Sequence, residues 1–162
     1  MSILHLCETL KLMFLQITTV AVSEPLAHLA IGLGDGTVIL YKHFEQSLAS
    51  STSLTALPKG RPIHESPTEP ITGLAFRQPE EGISYLFIVT TNRVLAYQVS
   101  GKGAGSAAIV VDEIGCGLGC ASLDWRGKNM IVAREEAIYS CGIEGRGNCY
   151  AYEGVYLSFL SL

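Results

Sequence analysis

The chain carries little charge and no cluster of basic residues. Only 16% of its 162 residues are charged, the formal net charge is −4, and the lysines and arginines are scattered. Nucleic-acid binding needs cations gathered on one surface to neutralise phosphates, so the composition argues against a nucleic-acid partner. Because 48% of the residues are hydrophobic, the chain is too apolar to be disordered. This composition predicts one folded domain with apolar surface left for a partner or for further parts of its own fold.

The N-terminal segment lacks the marks of a membrane span or a secretory signal. Glu8 and Lys11 interrupt its apolar run, and the remainder, residues 12–22, is shorter than the about 20 residues that cross a bilayer. No basic stretch precedes the run and no small-residue cleavage site follows it. We expect residues 1–16 to be irregular and to lead into a buried strand.

Sustained helical periodicity is also missing, and a repeat stands in its place. Residues 17–41, 71–97 and 120–140 share one plan, in which a short apolar strand, a polar turn, a second strand, a tight turn and a third strand follow in order. Their strands are rich in Val, Ile, Leu, Thr and Tyr, which suit a pleated and half-buried surface. Successive units lie roughly 40 to 60 residues apart, as propeller blades do.

The turns of these units carry suitable residues. Asp35-Gly36 is typical of a type I′ hairpin, and residues 91–93 and 134–136 occupy the matching place in the later units. The fourth, outermost strand of a blade is expected from the segments between units, at 108–114 and 149–153. Residues 43–69 are rich in Ser, Thr and Pro and read as a linker with one strand near 54–57.

The predicted fold is therefore all-β, a partial WD-type β-propeller of about three blades over residues 17–154, with a tail at 155–162. A β-sandwich is the competing architecture, because it also has short strands and regular turns. Closed propellers use about four to eight blades. Three units predict a fragment, a truncated gene product or a nonstandard closure.

Five strings in order carry a family resemblance: LAIGLGDGTVILYK, EPITGLAFRQ, LFIVTTNRVLAYQVSGKG, DEIGCGLGC and NCYAYEG. Over residues 17–154 they resemble the N-terminal propeller of the vacuolar protein sorting-associated protein 11 family. Residues 100–102 and 115–118 are the most specific parts. In that family a propeller, an α-solenoid and a C-terminal zinc-binding RING domain follow one another. Residues 1–16 stand where the family has earlier blades, and no solenoid or RING follows residue 162 in this sequence.

The resemblance implies a core subunit of the HOPS and CORVET complexes, which tether endosomes and vacuoles or lysosomes before fusion. Its implied partners are other class C vacuolar sorting subunits and, through the complex, Rab-type GTPases and SNAREs. The implied location is cytoplasmic, peripheral on endosome and vacuole or lysosome membranes. Functions of the solenoid and RING are not implied for this chain.

The residues that could bind a metal or a phosphate, or act in catalysis, are interpreted as structural residues. Cys116 and Cys120 have a spacing close to that of a zinc pair, but Cys141 and Cys149 are too far apart to complete it, so all five cysteines are predicted to be free and packed. The glycines at 115, 117 and 119 lack the spacing and the helix of a phosphate loop and predict a tight crossing between strands. No histidine or carboxylate pair has the setting of a catalytic group.

We therefore predict no catalytic residue, no metal, no cofactor and no small-molecule substrate. The chain is interpreted as a non-catalytic protein-interaction scaffold; the alternatives are a small β-sandwich enzyme with reactive cysteines, and a truncated non-functional product. The lone tryptophan is expected to pack in the core or between blades. The candidates for turn and packing roles are Asp35, Gly36, Gly115, Cys116, Gly117, Cys120 and Trp125.

Overall fold

The computed structural model describes residues 16–43, 60–80, 83–143 and 149–152. In this part of the chain the regular structure is β-strand, in three four-stranded antiparallel sheets. The first sheet contains β1 (Ile17–Ser23), β2 (His28–Leu33), β3 (Thr37–Tyr41) and β4 (Arg61–Glu65). The second contains β5 (Ile71–Glu80), β6 (Ile83–Thr90), β7 (Val94–Ser100) and β8 (Gly103–Asp112). The third contains β9 (Ala121–Leu123), β10 (Met130–Ala133), β11 (Ile138–Cys141) and β12 (Cys149–Ala151).

Each sheet is a meander whose strands pair in chain order. The first strands of the sheets lie side by side, since β1 contacts β5 and β5 contacts β9. Consecutive four-stranded sheets joined in this way are blades, so the prediction of an all-β partial propeller with three blades is confirmed. The outer strands β8 and β12 overlap the predicted 108–114 and 149–153. The outer strand of the first sheet is β4, whereas the predicted strand at 54–57 lies outside the described residues.

The second sheet is buried on both faces. On β6, Leu86 and Ile88 pack toward the first sheet, in a core shared with Val38. Their neighbours Phe87 and Val89 pack toward the third sheet. Successive side chains of a strand point to opposite faces, so burial on both sides requires a continuous apolar run. This requirement explains why β6 shows no polar alternation across its centre.

The first sheet is buried on one face only. Its inner strand β1 leaves Ile17, Val20 and Val22 more than half exposed, while Ala21 packs against the core between the first and second sheets. The prediction of a buried strand here was therefore wrong for these three side chains. They point away from the second sheet, and no sheet in the described ranges covers them.

The β2–β3 turn differs from the predicted type I′ geometry. Only Gly36 has a positive φ, of 83°, so Asp35 does not adopt the left-handed conformation that type I′ requires at both central positions. The Gly36 N–H donates to the Leu33 carbonyl at 3.2 Å, and the Thr37 N–H donates to Asp35 Oδ1 at 3.0 Å. A type I turn followed by a left-handed glycine accounts for these bonds.

The cysteines are not all free. Cys116 and Cys120 are free thiols, but Cys141 is disulfide-bonded, so the prediction of five free cysteines was wrong. In the β11–β12 ladder Cys141 lies opposite Cys149, whose side chain is outside the described set. Directly opposed positions on antiparallel strands have Cα separations that a disulfide can bridge, which the spacing along the sequence did not reveal.

Candidate interaction faces

Strand direction divides the turns of the molecule between two faces. One face, here the crossing face, carries the β2–β3, β6–β7 and β10–β11 turns and the two crossings between sheets, residues 66–70 and 113–120. The opposite face, here the hairpin face, carries the turns between the first and second and between the third and fourth strands of each sheet. In propellers such turn-bearing faces are the surfaces available to partners, because loops are variable and exposed.

On the crossing face, Arg134 fastens the second crossing to the third sheet. This side chain lies in the β10–β11 turn and is only 7% exposed. Its Nη2 donates to the Asp112 carboxylate and to the Ile114 carbonyl, and its Nε donates to the Gly115 carbonyl at 3.2 Å. The guanidinium also lies 4.4 Å from the centre of the Tyr139 ring. A buried arginine with this many partners holds the crossing in one conformation.

Arg93 makes the equivalent connection one blade earlier. It lies in the β6–β7 turn and pairs with Glu69 of the first crossing, with Nη2 to Oε1 at 2.9 Å and Nε to Oε2 at 3.0 Å. The Thr90 hydroxyl donates to the same carboxylate at 3.2 Å. Sequence reasoning missed both arginines as functional elements, although each occupied the matching turn of its repeat. The repeated geometry shows that each crossing is held by an arginine from the following sheet.

The preceding sheet holds each crossing through backbone contacts at a glycine. The Ser66 N–H donates to the Gly36 carbonyl at 3.1 Å, and a Cβ on Gly36 would lie 1.9 Å from the Ser66 carbonyl oxygen. At the second crossing the Cys116 N–H donates to the Thr90 carbonyl at 3.2 Å, and a Cβ on Gly115 would lie 2.0 Å from that oxygen. Both positions therefore need glycine for close approach of two backbones.

The remaining predicted residues of the second crossing divide by exposure. Cys116 is buried and burial raises the pKa of its thiol, whereas Cys120 is exposed and does not pack as predicted. The Cys120 N–H donates to the Gly117 carbonyl at 3.2 Å, which closes a turn just before β9. Across the described ranges no group of three His, Cys, Asp or Glu residues is placed to hold a metal ion.

Two histidines are built into the packing between strands and sheets. His28 is fully buried at the start of β2, and its Nε2–H donates to the Ser100 carbonyl of the second sheet at 3.0 Å. His64 Nδ1 lies 3.2 Å from the Tyr97 hydroxyl. Burial lowers the pKa of His64, and the nearby Arg93 lowers it further.

Trp125 lies on the hairpin face and is 87% exposed, so the prediction of a packing role was wrong. It belongs to the β9–β10 turn and is a member of neither hydrophobic core. The Asp124 carboxylate accepts the Lys128 N–H at 2.8 Å and the Asn129 side-chain amide at 3.3 Å. The Arg126 guanidinium lies 4.6 Å from the centre of the indole ring.

The two faces carry opposite charge among the side chains that the structure describes. On the hairpin face the cationic residues outnumber the two acidic residues, Glu24 and Asp124. The cationic residues are Lys42, Arg61, Arg77, Lys102, Arg126 and Lys128. On the crossing face the acidic residues outnumber the two cationic residues, Arg93 and Arg134. The acidic residues are Asp35, Glu65, Glu69, Asp112, Glu113, Glu135 and Glu136. Cations that are scattered along the sequence are thus brought to one end of the strands.

Comparison with known proteins places this chain in a family. A family model described as PEP5/VPS11 N-terminal matches residues 5–160. Vacuolar protein sorting-associated protein 11 homologs of Homo sapiens and Mus musculus are each 38% identical over 141 residues, which is 85% of this chain. The homolog of Dictyostelium discoideum is 28% identical over 144 residues. The chain spans 14% of the length of each of these relatives.

Within the described ranges no helix is long and apolar enough to cross a membrane. The chain belongs to the PEP5/VPS11 N-terminal family, as the ordered strings of its sequence implied.

Proposed function

We propose that this chain is a non-catalytic protein-interaction scaffold of a multi-subunit vacuolar sorting complex of the HOPS and CORVET type. The observation that carries the proposal is 38% identity to vacuolar sorting proteins over 85% of the chain. The fold supports it, because three rigid sheets present two faces made of turns. The proposed partners are other class C vacuolar sorting subunits, and attachment to endosome and vacuole or lysosome membranes is proposed to be peripheral, through the complex.

The buried Cys116 thiol and the two crossing arginines are engaged in structure. The raised pKa of the Cys116 thiol keeps it in the unreactive protonated form, whereas a catalytic thiol needs a lowered pKa. Arg134 and Arg93 are tied to carboxylates of the crossings. The sheets also follow one another as blades and not as the two facing layers of a sandwich. These observations favour the scaffold over a β-sandwich enzyme with reactive cysteines.

A chimera tests the proposal. In the full-length human relative, the segment matched by this chain is replaced by residues 17–154 of this chain, and the protein is expressed in cells that lack the endogenous relative. We expect the chimera to co-purify with the other class C subunits and to restore delivery of cargo to lysosomes. A second protein, in which an unrelated β-domain of similar size fills the same place, controls for mere spacing.

Equal rescue by the unrelated domain would contradict the scaffold role. Deletion of the matched segment without any loss of subunit recruitment or vacuole fusion would contradict it as well. Rescue by the chimera alone supports binding through features that this chain shares with its relatives.

A further inference from the structure

We infer that the Trp125–Arg126 turn on the hairpin face is a docking site for an acidic protein segment that carries an apolar side chain. This inference rests on the proposed function, because it names a surface and a partner chemistry for the scaffold. It concerns a part of the molecule that the packing of the three sheets does not use. Trp125 is the only tryptophan of the chain, and its side chain is almost wholly in solvent.

Hydrogen bonds within the turn hold the backbone that carries the indole. The Asp124 N–H donates to the Asn129 carbonyl at 2.9 Å, and the Gly127 N–H donates to the Asp124 carbonyl at 2.9 Å. Gly127 adopts a φ of 66°, which a glycine reaches without strain. The Asp124 carboxylate accepts two further bonds within the same turn, so this acid is engaged at the base of the turn. A pre-ordered turn loses little conformational entropy when a partner binds.

The two side chains at the tip offer complementary contacts. The indole supplies a large flat apolar surface, and the Arg126 guanidinium 4.6 Å from its centre supplies a planar cation that matches a carboxylate. Tryptophan and arginine are the residue types most enriched at the energetic centres of protein interfaces. The pair therefore fits a segment in which an acidic residue stands close to an apolar one.

The charges of the turn, and of the face that carries it, favour a partner with negative charge. The turn itself carries Arg126 and Lys128. On the same hairpin face, Lys42, Arg61 and Lys102 add positive charge at the ends of strands in the first and second sheets. The opposite face is rich in carboxylates and would repel an acidic segment. Complementary charge across an interface accelerates association and rejects partners of the wrong sign.

An anionic membrane is the less suitable partner for this turn. Helices and loops that bind bilayers insert a broad apolar surface below the headgroups. Here a single exposed aromatic residue is followed by Arg126, Gly127 and Lys128, and this small apolar area favours a protein partner.

Peptide selection on the 162-residue chain tests the inference. A random peptide library displayed on phage is selected on the wild-type protein and, in parallel, on Trp125→Ala, Arg126→Glu and Leu118→Ala. Leu118 is the matched control, because it is also apolar and 59% exposed but lies on the crossing face.

We expect enriched peptides with several acidic residues and at least one apolar residue. Their affinity should fall about tenfold or more in Trp125→Ala and stay unchanged in Leu118→Ala. The fluorescence of the lone tryptophan should shift on binding.

Several outcomes would overturn the inference. These are a lack of enrichment, enrichment of peptides without acidic residues, and equal binding to Trp125→Ala. Tryptophan-dependent binding to phosphatidylserine vesicles in place of peptides would assign the turn to a membrane. Unchanged far-UV circular dichroism shows that a variant is folded. If Trp125→Ala does not fold, Arg126→Glu decides by its loss or retention of the acidic peptides.

The test separates this inference from the proposed function. A working chimera with failed peptide selection removes the docking site and leaves the scaffold role intact. A failed chimera with successful selection removes the scaffold role and leaves the docking surface.

Discussion

The second sheet and the first sheet have the same strand order but differ in how many faces they bury. Phe87 and Ile88, adjacent on β6, are both fully buried because packed sheets lie on either side. Val20 and Val22 on β1 are apolar yet more than half exposed. An apolar strand in this fold thus contributes to stability only where a neighbouring sheet covers it. The comparison predicts a steep gradient of mutational effects from the second sheet outward.

The largest effect is expected at the centre of the second sheet. Phe87→Ala removes a fully buried ring from the core between the second and third sheets and should lower the free energy of unfolding by about 3–5 kcal/mol. Urea denaturation followed by circular dichroism measures the change. A loss below about 1 kcal/mol would show that the third sheet does not pack on the second as described.

The two crossing arginines should follow the same rule, so that the more buried one loses more stability when it is replaced. Arg134→Met removes a 7% exposed side chain, leaves Asp112 unpaired and should cost roughly 2–3 kcal/mol. Arg93→Met removes a side chain that is 33% exposed, and its surface ion pair should be worth about 1 kcal/mol. Thermal unfolding of both variants compares them directly. A larger loss for Arg93→Met would contradict the expectation that the more buried Arg134 contributes more to stability.

A smaller, pH-dependent effect is expected at His64. Its folded pKa is lowered by burial and by Arg93, with Glu69 opposing, so the unfolded chain binds the proton more readily than the folded one. Stability from the neutral imidazole is present above the unfolded value of 6.5 and is lost as the pH falls below it. Urea midpoints on both sides of this pH should shift less in His64→Gln than in wild type. Equal shifts in the two proteins would show that His64 does not cause this pH dependence of stability.

The smallest effect is expected on the uncovered face of the first sheet. Val22→Thr should change the free energy of unfolding by less than about 0.5 kcal/mol, since the side chain is 56% exposed and threonine is also a good strand former. The same urea titration that is used for Phe87→Ala gives the value. A cost above about 1 kcal/mol would mean that this face is covered in solution, and the contrast between the two sheets would fail.

The sequence predicted the sheets because each blade is local. Strand, turn and strand follow one another within a few residues, so alternation, Asp35-Gly36 and the matching turns were enough to find three repeats. The outer strand β4 was missed because Arg61 and Pro62 give it neither an apolar pattern nor a typical strand composition. Its pairing with β3 comes from position beside an existing edge, which a local pattern does not encode.

The surface was less predictable than the fold. The sequence analysis assigned the apolar Trp125 to packing, whereas it lies in the β9–β10 turn; its exposure follows from the turn and not from the residue type. The charge division between the faces depends on which strand ends meet in space. Lys42 and Lys102 are distant in sequence, yet the Lys42 amine donates to the Lys102 carbonyl at 3.0 Å.

Among the described side chains, the net positive hairpin face and the net negative crossing face set up an electric dipole directed along the strands. A partner that approaches within about 10 Å in a dilute physiological buffer experiences this field before any contact forms. The dipole rotates the molecule so that the hairpin face turns toward negative potential and the crossing face toward positive potential. Productive encounters are therefore selected by orientation during diffusion, and added salt would slow association more than it speeds dissociation.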